Sequence, residues 1–140
     1  MANMKVRELK MVSPDQTGHI ERNGVKTEPN EESTFKYLIR FGFDIELIRP
    51  TKVGRVKSPD SLIMGTPWEV KTPVSANQST IKNRFRGASK QAAKVVFDLR
   101  FIRGDADKVE KQVVALFQAS GRVRRMLLIE KCGKLLDFYK

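Results

Sequence analysis

The stretch 58–71 carries residues whose types and spacing could do chemistry. Pro59-Asp60 is followed, nine positions after Asp60, by Glu69 and then by Lys71. Two carboxylates are hard oxygen ligands of the kind that Mg²⁺ accepts together with water and substrate phosphate, and Mn²⁺ could replace it. Such an ion polarises a phosphoryl oxygen, and a neighbouring lysine can hold the attacking water and offset developing charge. These side chains therefore predict hydrolysis of a phosphodiester bond.

A β-hairpin would bring the three side chains together. Apolar, β-prone residues flank a turn at residues 65–66, which predicts two antiparallel strands. Side chains two apart in a strand share a face, so Glu69 and Lys71 should point the same way. Pairing across so short a turn can place Asp60 alongside Glu69. We expect Asp60 and Glu69 to bind the metal and Lys71 to position or activate the water.

Composition points to a polyanionic partner. The 140 residues fit one domain, and 27 Lys and Arg against 16 Asp and Glu give a net charge of +11. Such an excess favours nucleic acid, because phosphate contacts release counterions. The single cysteine, Cys132, excludes an internal disulfide. With neither a signal peptide nor an apolar run that could cross a membrane, we expect no membrane partner and a cytoplasmic chain, or one excised from something larger.

The remaining pattern predicts one sheet flanked by helices. Residues 1–26 carry scattered charge and little periodicity, and we interpret them as a loosely ordered amino-terminal arm. Over residues 27–140 the coarse order is helix, three strands, helix, strand, helix and two strands. A single α/β (α+β) domain with a mixed central sheet accommodates that order.

The first helix offers a third carboxylate. It is predicted to begin with Asn30 as its cap and to end at Gly42. Glu31 and Glu32 both lie near the line of its apolar stripe, which passes through Phe35. Either could be an active-site carboxylate presented towards the sheet. Alternatively, both are surface residues whose negative charge interacts favourably with the helix dipole.

A second, basic helix follows the hairpin and is predicted to run from about residue 79 to about residue 94. No acidic residue occurs between Val70 and Phe97. Four basic residues step by four along one flank of the helix: Lys82, Arg86, Lys90 and Lys94. A run of one sign directly after the hairpin predicts a face that contacts phosphate, the alternative being a solvated face.

Order and motifs together resemble a known superfamily. The first helix, the Pro59-Asp60 to Glu69-Val70-Lys71 hairpin and the basic helix resemble the PD-(D/E)XK nuclease fold. A narrower resemblance, across about residues 28–138, is to the carboxy-terminal toxin domain of contact-dependent growth inhibition systems, whose members include tRNA-cleaving nucleases. It rests on Glu31-Glu32-Ser33, Pro59-Asp60, Glu69-Val70-Lys71-Thr72-Pro73, Lys90-Gln91 and the run from Val95 to Leu99.

The resemblance implies roles for particular residues. It implies that Asp60 and Glu69 hold the metal, that Lys71 completes the core, and that a glutamate of the first helix supports it. It places three further residues near the scissile phosphate, namely Thr72, Lys90 and Gln91.

Motif and resemblance together predict a Mg²⁺-dependent endonuclease with RNA, especially tRNA, as substrate. One alternative is a DNA endonuclease of restriction or repair type, because nothing in the sequence reads the 2′-hydroxyl. Another is a non-catalytic basic module that binds nucleic acid. For a toxin, a cognate acidic immunity protein is expected by analogy. The chain would then be a domain excised from a larger exported toxin, or a free-standing relative.

Overall fold

A computed structural model describes residues 3–49, 52–53, 56–57 and 61–140. Within these ranges the α-helices are α1 (Pro29–Ile39), α2 (Gln78–Gln91) and α3 (Ala106–Ala119), and a short 3-10 helix spans Pro14–Gln16. The strands are β1 (Lys5–Leu9), β2 (Ile20–Glu21), β3 (Ile45–Leu47), β4 (Lys52–Val53), β5 (Val56–Lys57), β6 (Ser61–Ile63), β7 (Thr66–Lys71), β8 (Lys94–Asp98), β9 (Arg125–Ile129) and β10 (Leu135–Tyr139). No helix in the described ranges has the length and apolar character needed to span a bilayer.

Eight of these strands form one mixed sheet in the order β1-β10-β9-β8-β7-β6-β3-β2. The central strands β7, β8 and β9 run parallel, whereas β6 pairs antiparallel with β7 and β10 pairs antiparallel with β9. Strands β4 and β5 form a separate antiparallel ladder. The predicted mixed sheet is therefore confirmed, and the two buried clusters show where the helices lie.

The alternation along β8 divides the core into two layers. Val95 and Phe97 belong to a buried cluster with Phe85 of α2 and with residues of α3. Val96, which points the other way, belongs to a second cluster with Phe35 of α1. Since successive side chains of a strand point to opposite faces, α2 and α3 cover one face of the sheet and α1 covers the other.

The amino-terminal segment differs from the predicted loose arm. Residues 5–9 form β1, which pairs antiparallel with β10, and residues 20–21 form β2, which pairs parallel with β3. Both are edge strands, and the side chains of β1 are almost all exposed. Backbone hydrogen bonds and an ion pair of Arg7 with Asp137 attach β1, and it has no buried apolar stripe. Its sequence therefore lacks the periodicity that would have identified it.

Two helix boundaries also differ from prediction. Glu28, not Asn30, is the N-cap of α1, because a proline occupies the first turn, where its missing N–H is harmless. The side chain of Asn77 caps α2, and the helix ends before Ala92, whose backbone is extended. Lys94 therefore belongs to β8 and not to the basic helix, since the β-branched run that follows it forms a central strand.

A carboxyl pair between α3 and the end of β9 should make stability depend on pH. Burial and then a hydrogen bond with Glu130 raise the pKa of Glu110 to about 7. The stabilisation from the protonated form is complete below pH 4.5 and is lost as pH rises towards 7. Glu110→Gln should therefore raise the melting temperature at pH 8 much more than at pH 5, as measured by thermal unfolding. An equal change in melting temperature at both pH values would contradict the raised pKa of Glu110.

Candidate active site

A tight hairpin positions the strand that carries the motif. Met64 and Gly65 both have positive φ, +50° and +82°, and they form a two-residue turn between Ile63 and Thr66. Such a turn suits the right-handed twist of the flanking strands and fixes the register, which pairs Ser61 with Trp68. The turn thus lies one residue earlier than predicted, at residues 64–65.

Glu69 and Lys71 lie side by side on one face of β7. Lys71 Nζ is 3.5 Å from Glu69 Oε2, and the side chain of Glu69 is 1% exposed while that of Lys71 is 19% exposed. Their Cα partners on β8 are Val95 and Phe97, which pack under α2. The expected shared face is confirmed, and it is the face that α2 covers in part.

This buried ion pair is not explained by stability alone. Taking a carboxylate and an ammonium out of water is expensive, and apolar residues of similar size often stabilise a protein as well or better. The neighbouring side chains Trp68 and Val70 are buried in the apolar cluster on the other face. A charged pair placed in the middle of a sheet, with the ammonium still reachable from solvent, is typical of a functional site.

The proposed second metal ligand, Asp60, lies outside the described residues. Asp60 directly precedes Ser61 in the sequence. Ser61 pairs with Trp68 across the hairpin, and Trp68 directly precedes Glu69. No group of three or more His, Cys, Asp or Glu side chains in the described ranges could hold a metal ion. Mg²⁺ does not require such a group, because it takes one or two carboxylates and completes its shell with water and phosphate. The carboxylate of Glu69 fits that donor set.

The two adjacent glutamates of α1 have different surroundings. Arg22 donates from Nη1 and Nη2 to Glu32 at 2.7 and 2.5 Å, and Thr27 Oγ1 donates to it at 2.6 Å. The hydrogen bonds from Arg22 and then Thr27 lower the pKa of Glu32 to about 2. Glu31 instead lies three residues before Thr34, which is buried, so it shares the face of α1 that packs on the sheet.

Two hydrogen bonds anchor the first turns of α1. Thr34 Oγ1 donates at 2.6 Å to Asp98 at the end of β8, whereas Glu32 binds Arg22, which follows β2. In sheet order β7, β6 and β3 lie between β8 and β2. The first turns of α1 are thus anchored both near β8 and near β2, and the body of α1 packs on the face opposite to that of Glu69.

The basic flank of α2 does not face Glu69 and Lys71. Lys82 lines a groove between α2 and α3, and Gln112 Nε2 of α3 donates at 2.8 Å to Gln78 O in the same groove. Arg86 and Lys90 follow Lys82 at steps of four, and each step of about 400° turns them about 40° further towards solvent. All three basic side chains are exposed.

The other predicted substrate contacts fall in different places. Lys94 Nζ lies 3.4 Å from Thr66 Oγ1 and 5.9 Å from the ring centroid of Trp68, on the α1 face of the sheet. Gln91 is partly buried at the end of α2, and Thr72 is partly buried directly after Lys71. Thr72 thus stays next to the motif strand, whereas Lys94 points away from Glu69.

Sequence reasoning missed the buried carboxylate of Asp98. It is fully buried and accepts hydrogen bonds from Thr34 Oγ1 at 2.6 Å and from Arg100 Nη2 at 2.7 Å. These bonds tie the first turns of α1 to the end of β8. The one signal was an acidic residue within the apolar run that forms this central strand.

Comparisons with known proteins agree with this architecture. Residues 57–135 match the family described as "Contact-dependent growth inhibition CdiA C-terminal domain". A comparison with curated protein sequences gives no match. The fold is similar to that of a chain of the "CdiA-CT/CdiI toxin and immunity complex from Burkholderia pseudomallei", with a TM-score of 0.65 and 18% identity over 88% of this chain and 100% of that chain. Because the family match spans more than half of the sequence, the chain belongs to the contact-dependent growth inhibition CdiA C-terminal domain family.

Proposed function

We propose that the chain is a metal-dependent endonuclease that acts as the toxin domain of a contact-dependent growth inhibition protein. The observation that carries the proposal is the Glu69–Lys71 pair, 3.5 Å apart and held on one face of a central strand. The net charge of +11 supports a nucleic-acid substrate. RNA, and tRNA in particular, is the favoured substrate on the family resemblance, and DNA is the alternative.

The chemistry assigns a role to each motif residue. Asp60 and Glu69 are the carboxylates that would hold Mg²⁺ or Mn²⁺, in keeping with a PD-(D/E)XK site. When bound, such an ion supplies positive charge beside the scissile phosphate and makes water more acidic. Lys71 has three N–H donors within reach of solvent, so it can orient the attacking water and balance charge on a phosphate oxygen. Glu69 in turn keeps the ammonium in place.

We also propose a cognate inhibitor protein as partner. The structurally similar complex from Burkholderia pseudomallei is named as a toxin with its immunity protein. A chain with a net charge of +11 is electrostatically suited to an acidic protein, which would associate rapidly at low salt. An acidic surface placed over Glu69 and Lys71 would compete directly with nucleic acid.

Cleavage assays on two substrates test the proposal. End-labelled tRNA and supercoiled plasmid are incubated with the protein in Mg²⁺, in Mn²⁺ or in EDTA, and the products are separated on gels. We expect discrete tRNA fragments with either metal, none in EDTA, and recovery when excess Mg²⁺ is restored. Cleavage of plasmid without cleavage of tRNA would establish the DNA alternative. Binding of both polymers without cleavage of either would leave a basic binding module.

A further inference from the structure

The helix α2 has two flanks with different surroundings. Its buried stripe is formed by Ile81, Phe85 and Ala88. At about 100° per residue, Gln78 and Lys82 lie on one side of that stripe, where they border α3. Four residues lie on the other side of the stripe: Thr80, Arg84, Gly87 and Gln91. This second set is called the outer flank, because it faces away from α3.

The outer flank lies beside the Glu69–Lys71 pair. α2 packs on β7 and β8, and α3 packs towards β9 and β10, so the flank away from α3 overhangs β7. The ring of Phe85 stacks on that of Phe97 with centroids 5.8 Å apart, and the Cα partner of Phe97 on β7 is Lys71. Arg84, directly before Phe85, is thus level with Lys71. Gly87 is nearly one turn closer to Glu69, because α2 runs antiparallel to β7.

Arg84 is available to bind a ligand. Its side chain is exposed, and it makes no hydrogen bond or ion pair with any other residue that the structure describes. Other arginines of the chain are committed to carboxylates, for example Arg100 to Asp98 and Arg125 to Asp137. An exposed guanidinium beside the Glu69–Lys71 pair, called the reactive pair below, can bind two oxygens of one phosphate at once.

No contact within the described chain explains why position 87 is a glycine. It lies in the interior of α2, where glycine destabilises a helix relative to alanine. A Cβ atom built there meets nothing within 4 Å, so no neighbouring part of the described chain requires its absence. Gly87 lies on the solvent side of the outer flank, and a missing side chain there lets another backbone approach the helix closely.

Acidic residues occupy the same face of the sheet on the side away from α2. A cleft there is lined by Glu21, Glu46 and Asp44 together with His19. Glu46 pairs with Leu62, and Leu62 pairs with Pro67, which lies two residues before Glu69. Glu46 therefore lies on the same face of the sheet as Glu69. These carboxylates repel a phosphate backbone, so the path of lower energy from the reactive pair runs along α2.

We propose that the outer flank of α2 binds the substrate backbone next to the reactive pair. Arg84 binds the phosphate adjacent to the one that is cleaved, and Gly87 provides the space through which the sugar-phosphate chain passes. This inference rests on the proposed nuclease function and deepens it. It also replaces the basic flank Lys82, Arg86 and Lys90 as the main site of phosphate contact.

Arg86 provides a matched control for Arg84. Both are exposed arginines of α2 that form no ion pair within the described chain, so each alanine variant loses the same charge. We expect Arg84→Ala to lower kcat/KM on tRNA about 10- to 100-fold and Arg86→Ala to lower it less than about twofold, with partial rescue in Arg84→Lys. Equal losses in the two alanine variants would overturn the proposal.

Binding measurements separate this inference from the proposed function. The affinity for labelled tRNA is measured by fluorescence anisotropy in EDTA, where no cleavage is expected. A selective loss of affinity in Arg84→Ala supports the outer flank even if the wild-type protein cleaves neither polymer, in which case only the nuclease proposal fails. Equal affinities of the Arg84→Ala and Arg86→Ala variants would refute the outer flank as the binding surface.

Gly87→Ala gives a second, opposite readout. The substitution should raise the melting temperature, because alanine favours the helix and its methyl group meets no neighbour. We expect cleavage to fall at least about fivefold despite the gain in stability, and further in Gly87→Gln. Asn83→Ala, on the solvent side of the same helix, should raise the melting temperature with activity unchanged. A stabilised Gly87→Ala variant that cleaves at the wild-type rate would show that the space at residue 87 has no role.

Discussion

Glu69→Gln is expected to reduce cleavage by roughly a hundredfold to a thousandfold while the protein stays folded. The substitution keeps the shape of a side chain that is 1% exposed but removes the charge beside Lys71. A neutral amide binds Mg²⁺ poorly and no longer attracts the lysine, so both the metal and the positioned ammonium are lost. Initial rates on labelled tRNA in Mg²⁺ give the effect, and circular dichroism with thermal unfolding verifies the fold.

Glu46→Gln provides the matched control. Glu46 lies on β3, on the same face of the sheet as Glu69, but it is exposed. Removal of a carboxylate from that face alone should therefore not lower the cleavage rate. We expect Asp60→Ala and Lys71→Ala to behave like Glu69→Gln. A folded Glu69→Gln variant with the full rate would exclude Glu69 as a metal ligand.

The hairpin was predictable because the period of a strand is two. Once residues 66–71 are identified as a strand, Glu69 and Lys71 must share a face, and no other feature of the fold can change that. The order of the helices and strands that pack on the core was also predictable, because apolar periodicity marks such elements in the sequence. What the local pattern determines, in both cases, is which side chains of one element lie together.

The orientation of α2 was not predictable from its own sequence. A spacing of four places Lys82 and Arg86 on one side of the helix, but it does not say whether that side borders the active site or α3. The answer depends on where α3 packs, which is a contact between segments about thirty residues apart. Lys94 was misplaced for a related reason, since its helical spacing continued past the residue at which α2 ends.

Glu32→Gln is expected to affect stability and not catalysis. Arg22 and Thr27 hold the carboxylate of Glu32 and keep its pKa at about 2. That lowered pKa stabilises the fold above pH 4.5, and the stabilisation is lost as pH falls towards 2. The variant should therefore melt at a lower temperature than the wild type at pH 7, converge with it in acid, and cleave at a normal rate.

Glu31→Gln should do the reverse. Glu31 lies on the sheet-facing side of α1, whereas Glu32 is held by Arg22 and Thr27, so Glu31 is the carboxylate of α1 that we expect to support the metal site. Both glutamates start the same helix, and loss of either removes a similar dipole contribution of about 0.3–1 kcal/mol. We expect Glu31→Gln to lower the cleavage rate by on the order of a hundredfold, while its melting temperature falls by no more than that dipole contribution explains. Normal rates in both variants would show that α1 contributes nothing to the chemistry, which would then rest on Asp60, Glu69 and Lys71.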